Sequence, residues 1–87
     1  MKRLVEEVND EGLDGLLGQT VTLFCLNYIY EGKLVGINDT CIKLEPASVV
    51  YETGPLMAES RKDSQPLPGP WYVQIAAIES FGALKGQ

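Results

Sequence analysis

The spacing of hydrophobic residues changes near residue 18 of the chain. Before that point Leu4, Val5 and Val8 recur at helical spacing, with polar side chains on the opposite face. This pattern predicts a short amphipathic helix over residues 2–9. After Gly18 apolar and polar residues alternate, which is typical of strands that bury one face.

Alternation and turn residues together predict five strands. They cover residues 19–26, 28–37, 41–52, 71–75 and 78–82. Residues 53–70 hold four of the five prolines, and we expect a long loop or a hairpin extension there. The chain is therefore interpreted as one mainly-β domain, residues 1–87, whose five strongly bent strands close into a small barrel behind the N-terminal α-helix.

Two glycines interrupt the second predicted strand. A strand that serves both halves of a small barrel must bend sharply, and glycine permits the bend and a close approach of backbones. We expect Gly32 and Gly36 to lie at these bends. Asn38 and Asp39 follow directly, and such a pair is ordinary hairpin-turn chemistry.

Composition and charge argue against several classes of function for this chain. The chain carries 7 Lys+Arg against 12 Asp+Glu, a net charge of −5, whereas binding along a phosphate backbone needs a basic face. Without histidine or CxxC spacing, neither a metal nor a cofactor is expected. No general base, nucleophile motif or Walker loop is evident, so we expect no enzyme activity.

The compartment is inferred from the cysteines and from hydropathy. Cys25 and Cys41 lie in strand-like segments, and a small secreted scaffold would normally use more disulfides. We interpret both as reduced residues of a cytoplasmic protein. No apolar run is long enough to span a membrane, so no membrane partner is expected.

The segment LLGQTVTLFCLNYIYEGKLVGINDTCIKL, residues 16–44, resembles the first motif of the Sm/LSm/Hfq superfamily. The matching positions are Leu17, Gly18, Val21, Leu23, Gly32, Leu34, Ile37, Asn38, Ile42 and Leu44. The spacing between strands two and three is closer to the bacterial Hfq branch. The N-terminal helix, the five strands and the closing AIES segment, residues 77–80, also agree with the family.

The resemblance implies an SH3-like barrel that assembles into a homo-oligomeric ring of about five to seven copies. The family pairs strand four of one copy with strand five of the next. The residues expected at that contact are Trp71, Val73, Ile75, Ile78 and Ser80.

The resemblance also implies single-stranded RNA as a partner, uridine-rich by analogy, bound at one mouth of the ring. The residues expected there are Asn38, Asp39, Thr40 and Lys43. The second family motif is degenerate, because Ile75 and Ala76 stand where the family has Arg-Gly or Lys-His. No aromatic residue stands in the strand two–three turn to stack a base, so the pocket is only partly represented.

Simpler interpretations remain open for each of these residues. Asn38 and Asp39 can serve the turn alone, and Lys43 can be the solvent face of a strand. Trp71 and Tyr72 can be core or loop-covering aromatics. The alternative function is a structural ring protein without a nucleic-acid ligand.

Overall fold

Six antiparallel strands organise residues 12–84, the part of the chain that the computed structural model describes. The strands are β1 (Thr20–Cys25), β2 (Ile29–Ile37), β3 (Cys41–Glu52), β4 (Asp63–Pro66), β5 (Trp71–Gln74) and β6 (Ile78–Gly82). Two short 3-10 helices, η1 (Asp14–Leu16) and η2 (Ile75–Ala77), precede β1 and join β5 to β6. The helix predicted over residues 2–9 lies outside the described residues.

The strands are hydrogen-bonded in the order β4-β3-β2-β1-β6, and β5 also pairs with β3. The long strand β3 divides its outer edge between two partners. Its first half pairs with β5, in the register Cys41↔Gln74 to Leu44↔Trp71, and its second half pairs with β4. Because η2 connects β5 directly to β6 at the far end of the order, the sheet curls into a barrel-like form.

The core lies on the inner face of this curled sheet. Its buried members are Val21, Leu23, Leu34, Ile42, Leu44, Ala47 and Val73. They come from β1, β2, β3 and β5, so the alternating pattern places one apolar face of each strand inside. The prediction of a mainly-β domain is confirmed. None of the helices described between residues 12 and 84 has the length and apolar character needed to cross a bilayer.

The two glycines of β2 have different surroundings. A Cβ atom on Gly32 would overlap the carbonyl oxygen of Pro46, so only glycine fits between β2 and β3 there. A Cβ atom on Gly36 would make an ordinary 3.6 Å contact with Lys43. The register of the β2–β3 ladder shifts on both sides of Leu34, between Gly32 and Gly36.

The long connection after β3 contains a strand that pairs back on β3 as a hairpin. Residues 63–66 form β4, so the predicted count of five strands is one too low. The four residues of β4 are all exposed and polar or proline, and they pair through their backbone without the alternation that identifies a strand. Residues 53–62, here called the strap, fold back over the sheet and bury Arg61.

Candidate nucleic-acid interface

The turn between β2 and β3 is organised by Asn38. Its side-chain Oδ1 accepts hydrogen bonds from the backbone N of Thr40 (2.8 Å), the Oγ1 of Thr40 (3.3 Å) and the backbone N of Cys41 (2.9 Å). These donors fix the orientation of the amide. The Asn38 Nδ2 group is therefore the part of the side chain left to face a ligand, and it can only donate.

A backbone bond ties this turn to η2. The backbone N of Ile75 donates to the carbonyl oxygen of Thr40 at 2.8 Å, and Cys41 pairs with Gln74 in the neighbouring ladder. The segment that carries Ile75 and Ala76 therefore lies beside the turn. Both side chains are uncharged, so η2 contributes no cation at this position.

An aromatic side chain reaches this end of the sheet from β5. Lys43 and Tyr72 are direct partners in the β3–β5 ladder, and the Lys43 Nζ atom lies 5.9 Å from the centre of the Tyr72 ring. The Tyr72 side chain is exposed, at 60%. The turn itself carries no aromatic residue, but the β3–β5 register brings Tyr72 beside it from much further along the chain.

These side chains enclose a cleft of about 190 Å³, here called the turn cleft. Its lining residues are Gly36, Ile37, Asn38, Cys41, Ile42, Lys43 and Tyr72. Of the four residues predicted to contact RNA, Asn38 and Lys43 line the cleft. Asp39 and Thr40 are exposed in the turn beside it, and the backbone N and the hydroxyl of Thr40 both donate to Asn38.

A second cleft, here called the tyrosine cleft, lies towards the opposite end of β2. It measures about 250 Å³ and is lined by Cys25, Leu26, Asn27, Tyr28, Tyr30, Tyr72, Val73, Gln74 and Ala77. The rings of Tyr28 and Tyr30 are tilted by 52° with their centres 6.2 Å apart. Burial raises the pKa of the Cys25 thiol and of the Tyr30 phenol above their ordinary values, so both groups are neutral near pH 7.

The apolar residues predicted at a subunit contact serve the core of their own chain. Val73 is buried at 4% exposure, which removes its side chain from any surface contact. Trp71, Ile75 and Ile78 are half-buried and pack against the core. Ser80 is exposed on β6.

The edges of β5 and β6 remain available for pairing. Within residues 12–84, β5 pairs only with β3 and β6 pairs only with β1, so each strand keeps one edge without a partner strand. A contact at these edges would use backbone groups and exposed side chains, with the half-buried apolar residues held in place beneath.

Across residues 12–84, no cluster of three or more His, Cys, Asp or Glu side chains could hold a metal ion. Both cysteines are free thiols. Comparison of the chain with protein-family models, with curated proteins and with solved structures gave no match.

Proposed function

We propose that copies of this protein assemble into a closed ring and that the ring binds single-stranded RNA in its turn clefts. The observation that carries this proposal is the placement of Tyr72 beside Lys43 and Asn38. An exposed aromatic ring, a cation and a hydrogen-bond donor around one cleft are the groups with which proteins bind a single nucleotide of an unpaired strand.

Each side chain has a distinct part in this binding. The face of Tyr72 stacks a base, a contact worth roughly 1–3 kcal/mol in other single-strand-binding proteins. Lys43 lies against the same ring and neutralises a neighbouring phosphate. The Asn38 Nδ2 group donates to a carbonyl oxygen of the base, which favours uracil over adenine because uracil presents two such oxygens.

The open strand edges support the proposal of a ring. A heterologous contact in which the open edge of β5 meets the open edge of β6 of the next copy pairs two of the open edges of the described sheet and leaves the edge of the polar strand β4 exposed. Repeated by rotation, this contact closes at about five to seven copies, as the resemblance to the Sm/LSm/Hfq superfamily implies. Each turn cleft is then presented once per copy around the ring.

Charge limits the strength of binding. Every copy adds a net charge of −5, and Asp39 is exposed beside the turn cleft. An assembly of such chains repels phosphates at long range. We therefore propose weak binding of short uridine-rich strands, with a shallow dependence on salt because few phosphates are neutralised.

The same charge supports a second candidate function. A ring that only scaffolds other components would need no basic surface, and Asn38 would then serve the turn alone. This alternative predicts assembly without affinity for any oligonucleotide.

Sedimentation velocity and fluorescence anisotropy test both parts of the proposal on the unmodified chain. At micromolar concentration we expect a ring-sized species and, in the titration, uridine oligomers that bind more tightly than adenosine oligomers at two salt concentrations. Flat titrations for every oligomer would overturn the RNA assignment and leave the scaffold alternative. A monomer in sedimentation would overturn the ring.

A further inference from the structure

The strap is held on the sheet by one buried guanidinium. The Arg61 side chain is 1% exposed, and its Nε lies 3.5 Å from Oε2 of Glu31 on β2. The same carboxylate oxygen accepts a hydrogen bond of 2.8 Å from Thr22 on β1. Although the strap leaves from β3, Arg61 therefore anchors it over β2 and β1.

Arg61 also fixes the tip of the strap, residues 54–58. Its Nη2 donates to the carbonyl oxygens of Ala58 (2.7 Å) and Leu56 (3.5 Å), the two residues that flank Met57. The Met57 side chain is 87% exposed, so it fills no cleft of its own chain. Because the backbone of the tip is already fixed, burial of Met57 by a partner restricts its side chain but requires little further ordering of the turn.

The tip and the tyrosine cleft are both uncharged, which matters for a contact between copies of an acidic chain. None of the residues 54–58 is charged, and none of the described residues that line the tyrosine cleft is charged. Copies with a net charge of −5 repel one another, and a contact between two neutral surfaces adds no local repulsion between like charges.

The tyrosine cleft also suits a methionine in size and chemistry. A cavity of about 150 Å³ already admits a benzene molecule, and this cleft measures about 250 Å³. Its lining includes Tyr28, Tyr30 and Tyr72, and a methionine sulfur makes favourable contacts with aromatic rings.

In one copy the strap approaches the β6 end of the strand order, and β5 contributes to the tyrosine cleft. The strap reaches from β3 across β2 towards β1, and β6 lies beyond β1 in the strand order. The tyrosine cleft is lined in part by β5 residues 72–74, and otherwise by Ala77 and by residues 25–28 and 30 at the β1–β2 connection. In a contact between β6 of one copy and β5 of the next, the tip of the first copy therefore lies on the side that approaches the tyrosine cleft of the second.

We propose that Met57 of one copy inserts into the tyrosine cleft of the next copy in the assembly. The proposal rests on the proposed ring for the order of its subunits, and it identifies the partner of the tyrosine cleft as a second copy of this chain. The contact is heterologous, so every copy contributes one tip and one cleft.

Cys25 lines the tyrosine cleft and gives a direct test. In the full chain with Met57→Cys, oxidation by copper phenanthroline should link the introduced thiol to Cys25 of a neighbour, giving a ladder of linked chains on a non-reducing gel. Cys25→Ala in the same background should abolish the ladder, while Cys41 remains as the control for unspecific oxidation. A ladder that persists without Cys25, or a disulfide within one chain, would overturn the proposal.

A sedimentation assay without added thiols provides the second readout. Met57→Asp should raise the dissociation constant of the assembly by at least about tenfold, because burial of a methionine side chain is replaced by burial of a charge. Ser64→Asp adds the same charge at an exposed position of β4 and should leave the constant unchanged.

The outcomes separate this contact from the proposed ring. A ring that forms without the disulfide between the introduced thiol and Cys25, and that tolerates Met57→Asp, overturns the contact and leaves the ring. The same disulfide in an open chain of copies retains the contact and overturns the ring. A monomeric wild-type protein overturns both.

Discussion

The connections at the two ends of β3 are stabilised in different ways. The turn before it, residues 38–40, is held by three hydrogen bonds to one side chain, Asn38, all within three residues of sequence. The strap after it is held by Arg61, whose partner Glu31 lies thirty positions earlier in the chain. One connection is determined by local chemistry, and the other depends on the finished sheet.

This difference shows why the two regions respond differently to the rest of the fold. The turn satisfies its own polar groups, so it can form as soon as β2 and β3 pair. The strap buries a guanidinium whose Nε and Nη1 atoms have no hydrogen-bond partner among the described residues. Burial of such groups costs free energy, so the strap is the less stable of the two connections.

The largest loss of stability is expected where β2 and β3 approach most closely, because both connections depend on the pairing of these strands. Gly32→Ala would drive a Cβ atom into the Pro46 carbonyl oxygen and should destabilise the fold by about 3 kcal/mol or more. Gly36→Ala is the matched control, since its Cβ atom meets only an ordinary contact at 3.6 Å. Urea unfolding measures both variants; equal losses would contradict the assignment of the tight approach to Gly32 alone.

The strap can be broken separately through Arg61. Arg61→Ala removes the contacts with Glu31, Leu56 and Ala58 and should cost about 2–3 kcal/mol. Arg61→Met refills much of the space without a buried charge and should cost less. Hydrogen exchange should increase over residues 53–62 in the alanine variant while the turn stays protected; an unchanged strap would show that other contacts hold it.

The turn can be tested through its one organising side chain. Asn38→Ala removes an acceptor used by Thr40 and Cys41 and should destabilise the fold by about 1 kcal/mol. Asn38→Asp keeps an acceptor oxygen but loses the Nδ2 donor, so it should preserve stability better while weakening uridine binding. Thermal melts and anisotropy titrations of the two variants separate the structural role of Asn38 from its binding role, and equal melting losses would contradict the assignment of Asn38 as the acceptor that holds the turn.

Alkaline pH should produce the smallest change in the free energy of unfolding. It should act through residues outside both the turn and the strap. The pKa values of Cys25 and Tyr30 are raised in the folded chain by burial. The unfolded chain therefore releases these protons first, and the free energy of unfolding should fall as pH rises above about 8.5. Cys25→Ala should reduce this pH dependence in urea unfolding at pH 7 and pH 10; an unchanged slope would contradict the contribution of the thiol.

Local patterns predict the parts of this molecule that local chemistry determines. The alternation from residue 20 to residue 52 places β1, β2 and β3 to within one residue at each end, and the Asn-Asp pair predicts the turn. The hydrophobic pattern does not predict strand β4, because its residues Asp-Ser-Gln-Pro have no apolar face. The burial of Arg61 could not be predicted either, because no nearby sequence feature identifies Glu31 as its partner.

Some residues of the candidate site could likewise be predicted from local sequence, and one could not. Asn38 and Lys43 could be identified from the turn and the strand that follows it. Tyr72 could not, because its place depends on the register of β5 against β3, which a single sequence does not specify. The one available signal in the sequence is a tyrosine beside apolar Val73 in a strand-like segment, and it is equally typical of an ordinary edge strand.

The RNA proposal depends above all on Tyr72 stacking a base in the turn cleft. The decisive experiment is anisotropy titration of a uridine oligomer against Tyr72→Leu and against Tyr51→Leu, because both tyrosines are exposed, at 60% and 59%, and only Tyr72 lines the cleft. With assembly verified by sedimentation, we expect about tenfold weaker binding for Tyr72→Leu and wild-type binding for Tyr51→Leu. Equal affinity for the two variants would refute the stacking role of Tyr72.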